Sequence, residues 1–221
     1  MHRRLVIGAS GHARCVIDAA RAGSTGEVVA VADDDVVPTA REVLGVPVVG
    51  GSDSVGEWWS EGRIDGVVVG IGDNDTRMVV VERLLAIEPS LRFSTVAHPT
   101  ASIAASARLG DGAVVLAGAS VGPQASVGAH ALLGAQANLD HDTVLSEGAS
   151  LGPGALIGGA ARIGCASVVG IGAVVRHGLT IGNHSVLGAG AVLTRDLPDG
   201  VVAWGAPARI QRSREPGERY L

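Results

Sequence analysis

The sequence predicts two folds in series: a Rossmann-like α/β half-domain over residues 1–97, then a parallel β-solenoid with a C-terminal tail over residues 98–221. Three observations carry this. A strand, a glycine turn, a helix and a second strand with an acidic end open the chain. From Ile103 to Leu197 the sequence repeats every six residues without a break. Phe and Tyr occur once each and Trp three times, against 33 glycines. Such a composition suits a narrow tube better than a sandwich.

In the first half, Leu5-Val6-Ile7 reads as a buried strand. Gly8-Ala9-Ser10-Gly11-His12 then turns into an apolar helical pattern through Val16, Ile17 and Ala20. Val28 to Ala32 is a second strand, ending in Asp33-Asp34-Asp35. This is a βαβ unit. The turn lacks the G-x-G-x-x-G spacing, so it carries only the general physics of such a turn. Backbone N–H groups at a helix start can hold phosphate, and a carboxylate after the next strand can take a hydroxyl or a base edge. Equally, His12 can cap its own turn, and Asp33 and Asp34 can end a strand. Gly45 to Gly50 reads as a turn and short strand, and Glu57 to Gly62 as a short helix containing Trp58 and Trp59. Asp65 to Gly72 is another buried strand with a glycine turn. Asp73 and Asn74 then cap a helix from about Thr76 to Ile87. The result is a sheet of three or four parallel strands, joined to the second half by Pro89 to Pro99.

The repeat has one aliphatic column, Ile103, Leu109, Val115 and so on at every sixth residue to Leu193, and one mostly small column four places later, from Ala107 to Leu197. A period of six excludes a helix stripe, which needs 3.6, and fits short strands that turn a corner at each repeat. Aliphatics point inward and small residues fill the corners. Three flats make a triangular coil of eighteen residues, stacked about 4.8 Å from the next, giving about five coils. The glycine that often follows the aliphatic, as in Gly110, Gly122 and Gly158, is expected to supply positive φ.

A net charge of −5 with no basic run argues against nucleic acid. Arg212, Arg214 and Arg219 thicken the tail, but Glu215 and Glu218 dilute them. Cys15 and Cys165 have no metal or redox spacing and read as free, mostly buried thiols in a reducing cytosol, Cys165 as structural. After Met1-His2-Arg3-Arg4 the apolar run from Leu5 to Ile7 is too short for a signal peptide or a span, so a cytoplasmic protein without membrane insertion is expected.

Of seven histidines, His141 stands out. It sits two places after a column aliphatic, at a corner, between Asp140 and Asp142. Gly159 lies eighteen residues on, one coil above it. An imidazole that takes a proton beneath a backbone N–H is what acyl transfer requires. The plain alternative is a corner histidine hydrogen-bonded to its aspartates.

Gly8-Ala9-Ser10-Gly11-His12, Val31-Ala32-Asp33-Asp34, Gly70-Ile71-Gly72-Asp73-Asn74, His98-Pro99, Asp140-His141-Asp142 and Gly205-Ala206-Pro207-Ala208 occur in this order in the NeuD/PglD-like sugar acyltransferases. The chain resembles that family along its whole length. It is similar to the GDP-perosamine N-acetyltransferase type in Leu44 to Gly50 and Leu197-Pro198-Asp199. The resemblance implies a left-handed β-helix and a homotrimer, with acetyl-CoA as co-substrate and no metal. It implies N-acetylation of a nucleotide-linked amino sugar, with O-acetylation of a sugar hydroxyl, as in the sialic acid branch, as the alternative. His141 would be the general base, Asp142 the residue fixing its tautomer, and the Gly159 N–H the oxyanion donor. Ser10, Gly11, His12, Asp33, Asp34, Asp73 and Asn74 would meet the nucleotide sugar, and Ser150, Ile171, Ala189 and Gly205 the CoA. One departure is Ser150, where many members carry a second histidine. A remoter likeness is to the γ carbonic anhydrases, because His141 and His177 are two coils apart in one register. There the third ligand should follow five residues after His177, but Gly182 stands in its place and His184 comes two late.

Overall fold

A computed structural model describes residues 2–23, 26–35 and 42–218; the expectations for Met1 and Arg219 fall outside them. In the first half, β1 (His2–Ile7), α1 (Gly11–Ala22), β2 (Gly26–Ala32), a hairpin of β3 (Glu42–Val43) and β4 (Val46–Pro47), α2 (Val55–Ser60), β5 (Gly66–Val69) and α3 (Asn74–Ile87) follow in order. The sheet is parallel, ordered β2-β1-β5. Single bridges from Val48 to β2 and from Phe93 to β5 extend its two edges. Side chains alternate across it, as the pleat requires. Val6 and Val68 face α1, while Leu5, Ile7, Val67 and Val69 face α2 and α3. The last helix begins at Asn74 because the Asp73 carboxylate accepts the Thr76 N–H at 2.9 Å.

Helix α1 does two jobs. Ala13, Val16, Ile17 and Ala20, spaced at i, i+3, i+4 and i+7, bury one stripe. The same cluster includes Val96, Val114, Leu116 and Leu132 on the outside of the solenoid. The α/β unit is therefore glued to one flat of the tube.

The solenoid is built from two-residue strands, all parallel until the closing hairpin. Flat 1 has six rungs, from Ser102–Ile103 to Val192–Leu193; flat 2 has five, from Arg108–Leu109 to Thr180–Ile181. Flat 3 begins with Val96–Ala97 and ends with the antiparallel pair Val201–Gly205 and Ala208–Ser213. Successive rungs pair eighteen residues apart, as in Asn138 with Leu156. The tube therefore has five to six coils, close to the expected five. The aliphatic column fills its bore: Leu133, Leu139, Leu145 and Leu151 are fully buried, with Ala137, Ala149 and Ala155 in the corners.

Two expectations need correction. The glycines that follow the aliphatics are not the residues with positive φ. Those lie two places later, where Gly112, Gly148 and Gly172 share the left-handed region with His130, Asp142 and His184. The first glycine is needed for close approach instead: a β-carbon on Gly122 would stand 2.7 Å from the His141 nitrogen one coil up. The two cysteines are exposed rather than buried. Cys165 occupies the same corner position as His141, two places after the aliphatic, where side chains project outward, and Cys15 lies off the buried stripe of α1. Among the described residues, no helix is long and apolar enough to cross a membrane.

Candidate active site

His141 projects from the corner between flats 1 and 2. Asp142 Oδ2 lies 2.8 Å from its Nδ1, and its own backbone N–H donates to Asp140 Oδ1 at 2.7 Å. Asp142 reaches the ring because its backbone is left-handed, φ 58°, a conformation aspartate tolerates. The hydrogen bond to Asp142, with the nearby charge of Asp140, raises the imidazole pKa above its ordinary value. Nε2 points one coil up: a β-carbon on Gly159 would lie 2.5 Å from it. The Gly159 carbonyl accepts from Gly178, but its N–H has no hydrogen-bond partner among the described residues. The corner thus holds a basic nitrogen and an open amide side by side.

A groove of about 420 Å³ runs along flat 3 and the corner between flats 3 and 1. Ser150, Ile171 and Ala189 line it, with His12, Cys15 and Gly72 from the α/β unit. Its far end meets the hairpin carrying Gly205, where Trp204 packs over Gly188. Its wall is mostly aliphatic. His12 Nε2 is buried there without a partner, and burial, followed by the charge of Arg77, lowers the His12 pKa to about 4. The ring is neutral.

A second cleft, of about 410 Å³, opens at the carboxyl ends of β1 and β2 and is lined by Ser10, Asp33, Asp34, Asp35, Thr76 and Arg83. Ser10 is the N-cap of α1 but makes no side-chain cap bond, and a β-carbon on Gly11 would meet nothing within 4 Å. The helix start is open to a ligand. Asp33 Oδ2 accepts the Ala9 N–H at 2.5 Å, closing the glycine turn. Asp34 is gripped by the Ser52 N–H and hydroxyl and paired with Arg83. Burial opposes its ionisation, but these bonds outweigh it and hold its pKa below the ordinary value.

Asp73 and Asn74 sit differently. Asp73 is committed to the helix cap through Thr76. Asn74 is fully buried and donates to the Ala166 and Ser167 carbonyls of the solenoid. Beside it is a residue that sequence reasoning missed. Arg77, 2% exposed, donates to the His130 and Gly148 carbonyls of the tube, to Ile71 and Gly72 of the glycine turn, and to Asn74 Oδ1. Arg214 adds a further tie, pairing with Asp75 at 2.5 Å and donating to the His184 carbonyl. The signal for Arg77 lay in the stripe Asn74, Arg77, Val81, Leu84, which puts two polar residues on the buried side of α3.

Among the described residues no three His, Cys, Asp or Glu side chains gather into a metal-binding set.

Residues 4–84 match the PglD N-terminal domain family, and residues 160–195 match the bacterial transferase hexapeptide family (six repeats). A mutant of GDP-perosamine N-acetyltransferase from Caulobacter crescentus, solved with CoA and GDP-perosamine, is 36% identical with a TM-score of 0.88, over 95% of this chain and 97% of that one. The acetyltransferase domain of PglB from Neisseria gonorrhoeae, solved with acetyl coenzyme A, is 31% identical with a TM-score of 0.83, over 95% and 99%. Galactoside O-acetyltransferase from Escherichia coli is 48% identical over 43 residues, 20% of this chain; the match spans only 21% of that enzyme.

An α/β half-domain seated on a left-handed parallel β-helix, matched over nearly its whole length by solved acetyltransferases, defines an acyltransferase of the hexapeptide-repeat class. The chain belongs to the NeuD/PglD-like sugar acyltransferase family.

Proposed function

We propose that this protein transfers an acetyl group from acetyl-CoA to the amino group of a nucleotide-linked amino sugar. The observation that carries the reading is His141 Nε2 lying against Gly159, whose N–H is open. The amine attacks the thioester carbonyl, His141 takes its proton, and the Gly159 N–H holds the oxyanion. Collapse expels the CoA thiolate, which receives a proton, and no covalent enzyme intermediate is needed. Asp142 keeps Nδ1 protonated, so that Nε2 carries the free lone pair. The nucleotide phosphates suit the open start of α1, and Asp33 and Asp34 suit ribose or base. CoA suits the groove of Ser150, Ile171 and Ala189. Asn74 is assigned to domain docking rather than to substrate.

The active unit is a homotrimer. In one chain His141 and the groove sit on different corners, but both corners flank flat 1. The outside of flat 1 carries Ser102, Ser120 and Asn138 on its first three rungs and Leu156, 47% exposed, Val174 and Val192 on the last three, whereas flat 2 carries Arg108 and Arg162 among Ser126, Val144 and Thr180. A cyclic trimer with flat 1 toward its axis sets the His141 corner of each subunit against the groove corner of the next.

Thiol release from acetyl-CoA in the presence of UDP-, GDP- and dTDP-linked amino sugars tests the reaction, with His141→Ala as the control. Turnover of a nucleotide amino sugar that is lost in the variant is expected. Turnover only with free sugar hydroxyls would replace the reading with O-acetylation, and turnover unaffected by His141→Ala would overturn the mechanism.

A further inference from the structure

On the outside of flat 3 the register stacks Val114, Leu132, Ser150, Val168, Val186 and Val202 in one column. Five of the six are aliphatic. Ser150 is the exception, and it makes a small polar notch in an apolar wall. It is 5% exposed, and its hydroxyl has no hydrogen-bond partner among the described residues. The same groove holds the unpartnered His12 Nε2. A hydroxyl left unpaired on an apolar wall, in a groove also lined by a ring with a buried, unpartnered nitrogen, points to a ligand that brings its own polar group.

The height of the notch says which part of the ligand reaches it. Residues 138–155 make one coil, since Asn138, Val144 and Ser150 pair with Leu156, Arg162 and Val168 of the next. His141 and Ser150 therefore lie at the same level. In the trimer argued above, the histidine of one subunit comes level with Ser150 of its neighbour. The notch faces the reacting end of the thioester, while Ile171 and Ala189 lie one and two coils higher, along the CoA arm.

We propose that the acyl group this site is shaped for is a short 3-hydroxyacyl group rather than acetyl alone, its hydroxyl held between Ser150 and His12. The inference rests on the acyl-transfer reading and names its donor. The step balances as before: the C–S bond of the hydroxyacyl thioester breaks, an amide C–N bond forms, and the amine proton passes through His141 to leave with the CoA thiol. The neutral His12 ring offers one donor and one acceptor and the serine hydroxyl both, so together they can satisfy a hydroxyl in either sense.

The test is kcat/KM for acetyl-, butyryl- and 3-hydroxybutyryl-CoA with one accepted amino sugar. The hydroxyacyl thioester is expected to match or exceed acetyl-CoA and to exceed butyryl-CoA by about tenfold or more. Ser150→Leu, which completes the aliphatic column, should lower the ratio of hydroxybutyryl to acetyl turnover by about ten- to a hundredfold. Ser150→Ala keeps the space, and should bring hydroxybutyryl and butyryl turnover together. Acetyl-CoA used tenfold better than hydroxybutyryl-CoA, or an unchanged ratio in both variants, overturns the proposal and leaves acetyl transfer standing. No turnover with any thioester removes both.

Discussion

The imidazole of His141 occupies the space in which a side chain at Gly159 would stand, one coil above it. This makes Gly159→Ala an informative substitution. The Gly159 φ is not among the positive values, so alanine fits the backbone, but its β-carbon would lie 2.5 Å from Nε2. The ring must move, and a displacement of about 1 Å at a catalytic group costs on the order of a hundredfold. Steady-state rates should fall by that much while the circular dichroism melting curve hardly shifts. A variant with normal turnover would detach the amide from the chemistry.

Asp142 sets the proton affinity of that ring. Its hydrogen bond to Nδ1 is the leading reason the His141 pKa is raised. A general base works when neutral, so activity is lost as pH falls through its pKa, and in the native protein that limb should lie above 6.5. Asp142→Asn keeps a side chain that tolerates the left-handed backbone but removes the charge. The acidic limb of kcat/KM should move to lower pH, with kcat reduced by tenfold or more. A limb that stays in place would mean that another group controls it.

The tube was legible in the sequence because inward aliphatics and corner alanines recur at a fixed interval, and each rung repeats the same local physics. The βαβ start was legible because two apolar strand runs flank a glycine turn and an apolar helical pattern, and the pairing of His141 with Gly159 because a register of eighteen stacks one on the other. What was not legible depends on packing between distant parts of the chain. Asn74 reads as a helix cap until Ala166 and Ser167, more than ninety residues away, take its amide. The glycines after the aliphatics read as turn residues until the next coil is stacked on them. Cys165 reads as buried until its corner position is known to point outward.

Arg77 is the largest consequence of that unread packing. Its guanidinium serves carbonyls from the tube and from the glycine turn beside the groove, so it fixes where the α/β unit sits. Arg77→Met fills the volume but takes a donor from each of those oxygens. At about 1 kcal/mol or more for each buried acceptor lost, the variant should be less stable by about 3 kcal/mol in urea unfolding. Arg77→Lys should recover only part of this, because an ammonium cannot match the planar fork. A neutral Arg77→Met would mean that the apolar contacts of α1 alone hold the two units together.

His12 and His130 make the fold itself sensitive to acid. Burial, and then the charge of Arg77, lowers both pKa values to about 4, against 6.5 for the free side chain. In the case of His130, Asp111 opposes the shift without cancelling it. The sign follows from proton counting: between pH 6.5 and about 4 the unfolded chain binds two protons that the native state refuses. These histidines therefore contribute stability that is complete above 6.5 and is lost as pH falls toward 4. His130 lies in the left-handed region, φ 56°, so asparagine is the fitting neutral replacement. Urea midpoints measured from pH 7 to 4.5 should fall steeply in the native protein and about half as steeply from this source in His130→Asn. Equal slopes in the two proteins would show that His130 takes up its proton in the folded state without cost.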